Sequence, residues 1–212
     1  MPLQCQLDAF SSALSARMSL ARQAQMASGL AALQQMAAAH PALGVGATAP
    51  EFTLPDANGH AISLATLRAK GPVVLNFFRG GWCPFCILEL RAWQAMLPRL
   101  TAANAAIAAI TPQPATRLAL IATANDLTYP LLSDKALAVA ASFGLVHTIP
   151  PDLIDIYRLF GHDLPAMNAD PTWRLPIPAT YVIDQNGKIT FAATNPNPSQ
   201  RADPGVVMGV LG

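Results

Sequence analysis

A strongly apolar segment followed at once by two cysteines is the feature that most constrains the fold. Residues 72–78 (PVVLNFF) form a nearly continuous apolar run, which is typical of a strand covered on both faces. Residues 79–82 (RGGW) interrupt the run, and Cys83-Pro84 comes next. Proline is favoured in the first helical turn because its missing N–H would have no partner there. The pattern therefore predicts a buried strand that leads into a helix beginning at Cys83.

The place of Cys83 at a helix start makes it a candidate nucleophile. Unpaired N–H groups and the helix dipole favour negative charge there, and such a site can lower a cysteine pKa from about 8.5 to about 3.5–7.5. A thiolate, and not a thiol, attacks a disulfide or a peroxide. A stripe at helical spacing continues the helix: Cys86, Leu90, Trp93 and Leu97. We expect this stripe to face the core, so that Cys86 is partly buried one turn behind an exposed Cys83, close enough to form a disulfide.

The other cysteine and histidine residues are scattered along the chain. A zinc site needs roughly four ligands. None of these residues forms a second close pair: Cys5, His40, His60, His147 and His162. We therefore expect no metal site and no cofactor. We expect Cys5 to be a small buried residue of an N-terminal helix, and the histidines to lie on the surface or in loops.

Alternating strands and helices place the chain in the α/β class. The apolar runs predict strands over residues 72–78, 105–110, 130–133, 179–183 and 188–192. Helical patterns between them predict a largely parallel sheet with helices on both faces, closed by an antiparallel hairpin.

The length of 212 residues suits one domain with an additional segment. Apolar residues at helical spacing over residues 3–39 predict a helical extension, which we place at 1–43. It would pack on the main domain or on a second copy of the chain, and the main domain would span 44–212. A proline-rich insertion is expected at about 148–175, with a short helix over 153–160.

Composition and charge exclude several classes of partner. Charged residues make up 12%, the formal net charge is +1, and no run of lysine or arginine is present, so we expect no nucleic-acid or anionic-membrane partner. No apolar run reaches the roughly 18 residues of a membrane span. The N-terminus lacks the features of a secretory signal, and three cysteines do not suit a secreted disulfide framework. We therefore expect a cytoplasmic protein.

Three segments resemble the peroxiredoxin-like members of the alkyl hydroperoxide reductase/thiol-specific antioxidant (AhpC/TSA) family. They are FFRGGWCPFC (77–86), GATAPEFTLPDANGHAISLATL (46–67) and LPIPATYVIDQNGKI (175–189), and the likeness covers about residues 44–195. The resemblance implies a thioredoxin-like fold, a central mixed sheet flanked by helices, here with an N-terminal helical extension. It also implies a peroxidatic Cys83 that forms a sulfenic acid, with Cys86 as the resolving thiol. Pro178 corresponds to the cis-proline that faces the cysteine pair in thioredoxin-like proteins.

The chain departs from the pattern of that family beside the nucleophile. The family usually carries Thr or Ser three residues before the peroxidatic cysteine, and Pro four residues before that. Gly80 and Asn76 stand at these positions here, so the hydroxyl that would orient a peroxide is missing.

Other groups are candidates to replace the missing hydroxyl. Arg79 is close in sequence to Cys83, and we expect it to stabilise the thiolate or the leaving oxygen as a catalytic residue. Arg174, near Pro178, is a weaker candidate. Backbone N–H groups at Gly81, Trp82 and Cys83 are candidate donors to the peroxide. The predicted substrate-binding residues are therefore Gly81, Trp82 and Pro178.

Three functions are compatible with these residues. The first is a thiol-dependent peroxidase that reduces hydrogen peroxide or alkyl hydroperoxides, with thioredoxin, glutaredoxin or glutathione as the thiol electron donor. The second is a thiol–disulfide oxidoreductase, which the WCPFC motif and the missing hydroxyl favour. The third is a non-enzymatic redox sensor. A homodimer is possible because the helical extension is amphipathic.

Overall fold

A computed structural model describes residues 1–211, and helices and strands follow one another along the whole of that range. The helices are α1 (Leu3–Ala16), α2 (Leu20–Ala39), α3 (Leu64–Leu67), α4 (Pro84–Ala102), α5 (Ala115–Ala124), α6 (Ala138–Ser142), α7 (Pro151–Leu159), α8 (Leu164–Asn168) and α9 (Pro204–Met208). The strands are β1 (Thr53–Pro55), β2 (Ala61–Ser63), β3 (Val73–Phe77), β4 (Ala106–Thr111), β5 (Leu131–Ser133), β6 (Val146–Thr148), β7 (Arg174–Pro176), β8 (Ala179–Ile183) and β9 (Ile189–Thr194). None of these helices is both long and apolar enough to cross a bilayer.

The central sheet is mixed, as the sequence predicts. Its five strands lie in the order β5-β4-β3-β8-β9. Strands β3, β4 and β5 are parallel, whereas β8 runs antiparallel to β3 and β9 runs antiparallel to β8. Two small antiparallel pairs, β1-β2 and β6-β7, lie outside this sheet. The strand that leads to the cysteines is therefore the middle strand of the sheet.

Both faces of β3 are covered, which explains its unbroken apolar sequence. Successive side chains of a strand point to opposite faces. Val74 belongs to the core cluster that contains Cys83, Leu90 and Trp93, whereas Leu75 belongs to the cluster on the other face. All five residues of β3 are buried. Packing on both faces of the sheet thus fixes the end of β3, where the loop to the cysteines begins.

The N-terminal helices pack on the main domain, which is one of the two arrangements that the sequence predicts. Helix α1 contacts α4, and α2 contacts α7. Leu3 and Leu7 are buried in the same core cluster as the cysteine pair. The ring of Phe10 meets that of Phe85 edge-on, with 5.1 Å between the ring centroids. The extension therefore covers the start of α4.

The segment between β6 and β7 is more regular than predicted. The expected short helix is present as α7, and a second helix, α8, follows it. Strands β6 and β7 pair with each other and hold the two ends of the segment together. Leu153, Ile156 and Tyr157 of α7 are buried. The proline-rich segment is thus a folded insertion whose two ends lie side by side.

The prediction that Cys5 is buried is wrong. Leu3 and Leu7 define the inward face of α1, and Cys5 lies two residues from each of them. Because a helix turns by about 100° per residue, a residue two positions away faces nearly the opposite direction. Cys5 is accordingly exposed.

The prediction of a cis-proline is also wrong. The Ile177–Pro178 bond is trans, as is every peptide bond of the described residues. Ile177 is buried, and its N–H donates to Leu145 O at 2.7 Å. The chain therefore continues in an extended path from β7 into β8. No reversal is needed there, and trans is the favoured form of an X–Pro bond by about 0.5–1 kcal/mol.

The contact between α2 and α7 yields a stability prediction. A Cβ atom at Gly29 of α2 would lie 2.5 Å from Cγ of Leu153, so Gly29→Ala forces the two helices apart. Overpacking costs about 1–3 kcal/mol, which exceeds the roughly 1 kcal/mol that alanine contributes to helix propensity. We expect urea denaturation to show a free energy of unfolding about 1 kcal/mol lower than that of the unmodified protein.

Gly44→Ala is the matched control for this substitution. Nothing lies within 4 Å of a Cβ atom at Gly44, which follows the extension in a loop. We expect its effect to stay within about 0.5 kcal/mol. A stabilising effect of Gly29→Ala would mean that α2 and α7 are not packed together in solution.

Candidate active site

The loop between β3 and α4 requires glycine at two successive positions. Gly80 has φ of +150°, and a Cβ atom there would collide with Nε1 of Trp82. A Cβ atom at Gly81 would lie 2.6 Å from Cγ1 of Ile121. Position 80 therefore cannot carry a hydroxyl side chain in this loop conformation. The absence of the usual Thr or Ser is a consequence of how tightly the loop packs.

Cys83 is the N-cap residue of α4, as predicted, but it is buried rather than exposed. Its side chain belongs to the core cluster that also contains Leu3, Leu7 and Phe85. The prediction of an exposed thiol fails because the N-terminal helices and α7 cover the tip of α4. Cys86, predicted to be partly buried, also has no exposed surface.

Arg79 supplies the positive charge beside the nucleophile. Its Nη2 atom donates to Sγ of Cys83 at 2.8 Å, and its Nη1 atom donates to the hydroxyl of Tyr157 at 2.6 Å. The guanidinium carbon lies 5.2 Å from the ring centroid of Trp82. Arg79 is itself buried. A buried guanidinium is stable only when it is paired, so a thiolate at Cys83 is the natural counter-charge.

The two cysteines have opposite pKa shifts. Burial by itself would raise the pKa of Cys83, but the hydrogen bond from the Cys86 thiol and the charges of Arg79 and Arg201 hold it well below its usual value. Burial raises the pKa of Cys86, and the hydrogen bond to Cys83 with the negative charge there raises it further. These shifts favour a thiolate at Cys83 and a thiol at Cys86, and neither sulfur is in a disulfide.

A second buried ion pair lies behind Cys86. Nε of Arg201 donates to Oε2 of Glu89 at 2.8 Å, and Nη2 of Arg201 lies 3.9 Å from Sγ of Cys86. Nδ2 of Asn76 donates to Oε1 of Glu89 at 2.8 Å. Burial raises the pKa of Glu89 to about 7, against the opposing effect of Arg201. Glu89 can therefore gain or lose a proton near neutral pH, close to the second thiol.

Two of the three predicted backbone donors are already engaged in the folded loop. The N–H of Gly81 donates to Oε1 of Gln113 at 2.7 Å, and the N–H of Cys83 donates to the carbonyl of Gly80 at 3.1 Å. These two groups are thus not free to bind a peroxide. The N–H of Trp82 has no hydrogen-bond partner among the described residues and stays a candidate donor, and Arg79 contacts the Cys83 sulfur directly.

Trp82 and Pro178, the other predicted substrate-binding residues, lie in different cavities. The ring of Trp82 packs against Tyr157 and His162, with 5.7 and 5.0 Å between ring centroids, and lines an apolar cavity beside Arg79. Pro178 lines a separate cavity that also contains Arg201. Arg174, the weaker candidate, pairs with Asp170 at 3.4 Å and is half-exposed.

Sequence reasoning missed four residues of the site: Glu89, Gln113, Tyr157 and Arg201. Only Glu89 carries a local signal, because it is an acidic residue three positions after Cys86 and therefore on nearly the same face of α4. Tyr157 and Arg201 reach the site from α7 and from the segment before α9, far away in the chain. Only the tertiary fold brings them to the cysteines.

Comparison with known proteins bears on what this site does. The sequence model of the AhpC/TSA family matches residues 45–192. The chain belongs to the AhpC/TSA family. It is 31% identical over 150 residues to alkyl hydroperoxide reductase E of Mycobacterium tuberculosis, covering 71% of this chain and 84% of that protein. It is also 28% identical over 149 residues to the thiol-disulfide oxidoreductase ResA of Geobacillus thermodenitrificans, covering 70% and 68% of the two chains.

The fold is shared with solved structures of the same kind. The crystal structure of peroxidoxin BcpB from Mycobacterium tuberculosis superimposes with a TM-score of 0.62 at 24% identity, covering 80% of this chain and 96% of that one. The predicted thioredoxin-like fold and family are thus confirmed, and the protein is an oxidoreductase. Helices α1 and α2 and residue Arg201 lie outside the part that the family matches.

The contact between Arg79 and Cys83 predicts how the thiol titrates. Arg79→Met removes the charge that favours the thiolate, so the pKa of Cys83 should rise towards or above the ordinary value of about 8.5. We expect the ultraviolet absorbance of the thiolate, present at pH 7 in the unmodified protein, to appear in the variant only at alkaline pH.

Arg158→Met is the control for this titration. Arg158 also belongs to α7 and lies over the ring of Trp173, and among the described residues it makes no hydrogen bond to a sulfur atom. Its thiolate absorbance should follow that of the unmodified protein. An unchanged titration in Arg79→Met would show that another group ionises Cys83.

Proposed function

We propose that this protein is a thiol-dependent peroxidase that reduces organic hydroperoxides or hydrogen peroxide through Cys83. The observation that carries the proposal is the buried contact between Nη2 of Arg79 and Sγ of Cys83 at 2.8 Å. It combines a nucleophile with the cation that such a reaction needs. Membership of the AhpC/TSA family supports a peroxide substrate and a thiol reductant.

In the first step the thiolate of Cys83 attacks the outer oxygen of the hydroperoxide. The S–O bond forms as the O–O bond breaks, so the OH group passes to sulfur as a sulfenic acid and the other oxygen leaves as an alkoxide or hydroxide. The leaving oxygen then takes a proton from water. Arg79 stabilises the negative charge as it moves from sulfur to oxygen, which is the role of a preorganised cation in a site shielded from water.

In the second step Cys86 resolves the sulfenic acid. The Cys86 thiol gives up its proton as its sulfur attacks the sulfur of Cys83; the S–S bond forms, the S–O bond breaks, and the OH group takes up a proton and leaves as water. We assign Glu89 the role of the base that accepts the proton of Cys86 and passes it to the leaving OH group, because its pKa of about 7 suits transfer near neutral pH. Two equivalents of a thiol then reduce the Cys83–Cys86 disulfide by exchange. Thioredoxin, glutaredoxin and glutathione are the candidate donors.

Disulfide reduction is the second candidate function. The pair of thiols in a CxxC motif and the 28% identity to ResA favour it. The lack of exposed surface at Cys83 argues against it, because a protein disulfide has to reach that sulfur directly. Reduction of insulin at a rate matching that of peroxide reduction would support this alternative.

Single-cysteine variants test the main proposal. Cys83→Ser should abolish peroxide consumption, because Cys83 carries the sulfur that Arg79 contacts. Cys86→Ser should allow one turnover and leave a sulfenic acid on Cys83 that a dimedone adduct reveals by mass spectrometry. Cys5→Ser, which changes an exposed thiol of α1, is the matched control and should retain full turnover. Reaction of the reduced protein with peroxide no faster than that of free cysteine would refute a peroxidase.

The proposed role of Glu89 predicts a pH effect on the second step only. In the unmodified protein the rate of disulfide formation should rise as the pH passes about 7, because the ionised carboxylate accepts the proton of Cys86. Glu89→Gln should lose this rise and slow disulfide formation by about 10²-fold. Rapid mixing with one equivalent of peroxide, followed by thiol counting, measures both steps.

A conservative substitution separates proton transfer from packing. Glu89→Asp keeps an ionisable group and should restore a pH-dependent rate, although the shorter side chain lowers it. If Glu89→Gln slowed sulfenic acid and disulfide formation equally, Glu89 would be needed for structure rather than for proton transfer.

A further inference from the structure

Two adjoining cavities lie between the N-terminal helices and the start of α4. Their volumes are about 270 Å³ and about 200 Å³. Both are lined by the same five residues: Leu14, Met26, Leu30, Phe85 and Pro198. We call the two together the apolar channel. Each is somewhat smaller than a typical small-molecule pocket of about 300–1,000 Å³, but joined end to end they offer an elongated site.

The inner end of the apolar channel lies beside the group that contacts the Cys83 sulfur. Arg79, Trp82 and Tyr157 line the inner cavity. The same guanidinium of Arg79 that lines this cavity donates to Sγ of Cys83. Since Cys83 has no exposed surface, the Arg79 side chain has to shift when a reacting group arrives from the channel. Arg79 is thus the lining residue that contacts the sulfur.

The chemistry of the walls suits a hydrocarbon. Arg79 is the one permanently charged residue among those that line either cavity. His162 also lines the inner cavity, and burial and the charge of Arg79 lower its pKa, which favours the neutral ring. The outer cavity carries uncharged polar groups at its rim, among them Ser11, Ser15 and Asn197. A ligand with a reactive polar end, an apolar body and no required charge at its far end matches this arrangement.

The walls of the apolar channel come largely from segments outside the family match. Leu14 belongs to α1, Met26 and Leu30 belong to α2, and Pro198 follows β9, whereas the match covers residues 45–192. Family membership alone therefore does not imply this channel. The channel arises because α1, α2 and the segment after β9 pack over the start of α4.

We propose that the apolar channel binds the hydrocarbon chain of a long-chain organic hydroperoxide and makes such compounds the preferred substrates over hydrogen peroxide. The proposal rests on the peroxidase function described above. The hydroperoxide group lies at the inner end, where the thiolate of Cys83 takes its outer OH group, and the chain extends outward between α1 and α2. The O–O bond breaks, Cys83 is oxidised to a sulfenic acid, and the substrate is reduced to an alkoxide, which takes a proton from water and leaves as the long-chain alcohol.

A chain-length series on the unmodified protein tests the proposal. The second-order rate of Cys83 oxidation is measured with hydrogen peroxide, tert-butyl hydroperoxide and linear alkyl hydroperoxides from butyl to dodecyl. We expect the rate to rise by up to about fourfold for each added methylene, the fold-change that corresponds to about 0.8 kcal/mol per buried CH₂, until the channel is full. Fast reaction with every peroxide, irrespective of chain length, would overturn the channel proposal and leave the peroxidase function intact. Reaction with none of them would overturn both.

A substitution inside the channel and one outside it distinguish the site from general effects. Leu30→Trp fills the channel, whereas Leu20→Trp adds the same ring at an exposed position of α2. The measured quantity is the ratio of the dodecyl rate to the hydrogen peroxide rate. We expect Leu30→Trp to lower this ratio by about tenfold or more and Leu20→Trp to leave it unchanged. An unchanged ratio in Leu30→Trp would overturn the proposal. Should that variant fail to fold by circular dichroism, the chain-length series decides alone.

Discussion

The contact between the Arg79 guanidinium and the Cys83 sulfur is the interaction on which the rest of the site depends. A guanidinium and a thiolate are each costly to bury alone, and each becomes tolerable beside the other. The hydroxyl of Tyr157 holds a second nitrogen of the same guanidinium, so α7 takes part in fixing the charge. Packing also explains why glycine stands at position 80, because the side chains of Trp82 and Gln113 leave no room there for a larger residue. The missing hydroxyl at position 80 and the buried Arg79 are related, because Trp82 packs against both residues.

Charge also explains why two thiols only three residues apart behave differently. Both are buried, and burial raises the pKa of each. Arg79 touches Cys83 directly at 2.8 Å, whereas Arg201 approaches Cys86 only to 3.9 Å and is paired with Glu89. The hydrogen bond from the Cys86 thiol and the contact with Arg79 together favour ionisation of Cys83 over that of Cys86. Once Cys83 carries the negative charge, it holds the proton of Cys86 in place, which keeps the second thiol neutral until the first has reacted.

Local sequence predicted the position of the cysteine pair and missed most of the residues that surround it. The apolar run before Cys83 and the proline after it are local signals, and they correctly predicted β3, the start of α4 and the sulfur at its N-cap. The exposure of Cys83 was mispredicted because its cover comes from α1, α2 and α7, whose packing depends on long-range contacts. Arg201 lies 115 residues from Cys86 in the chain, so no spacing rule reaches it. The trans bond before Pro178 depends likewise on the path between two strands, which a motif does not specify.

The family-matched region and the flanking segments contribute different residues to the site. Residues 45–192 contain most of the sheet, both cysteines of the CxxC motif, Arg79 and Glu89. The segments on either side contribute Arg201, which shares its charge between Glu89 and Cys86, and the helices that close over Cys83. The residues that cover a buried thiolate determine which substrates can react with it. They set the dielectric around its charge, and they form the route by which a substrate reaches the sulfur. Relatives that share the central region but carry other termini should therefore have the same chemistry at sulfur, yet differ in which molecules reach it.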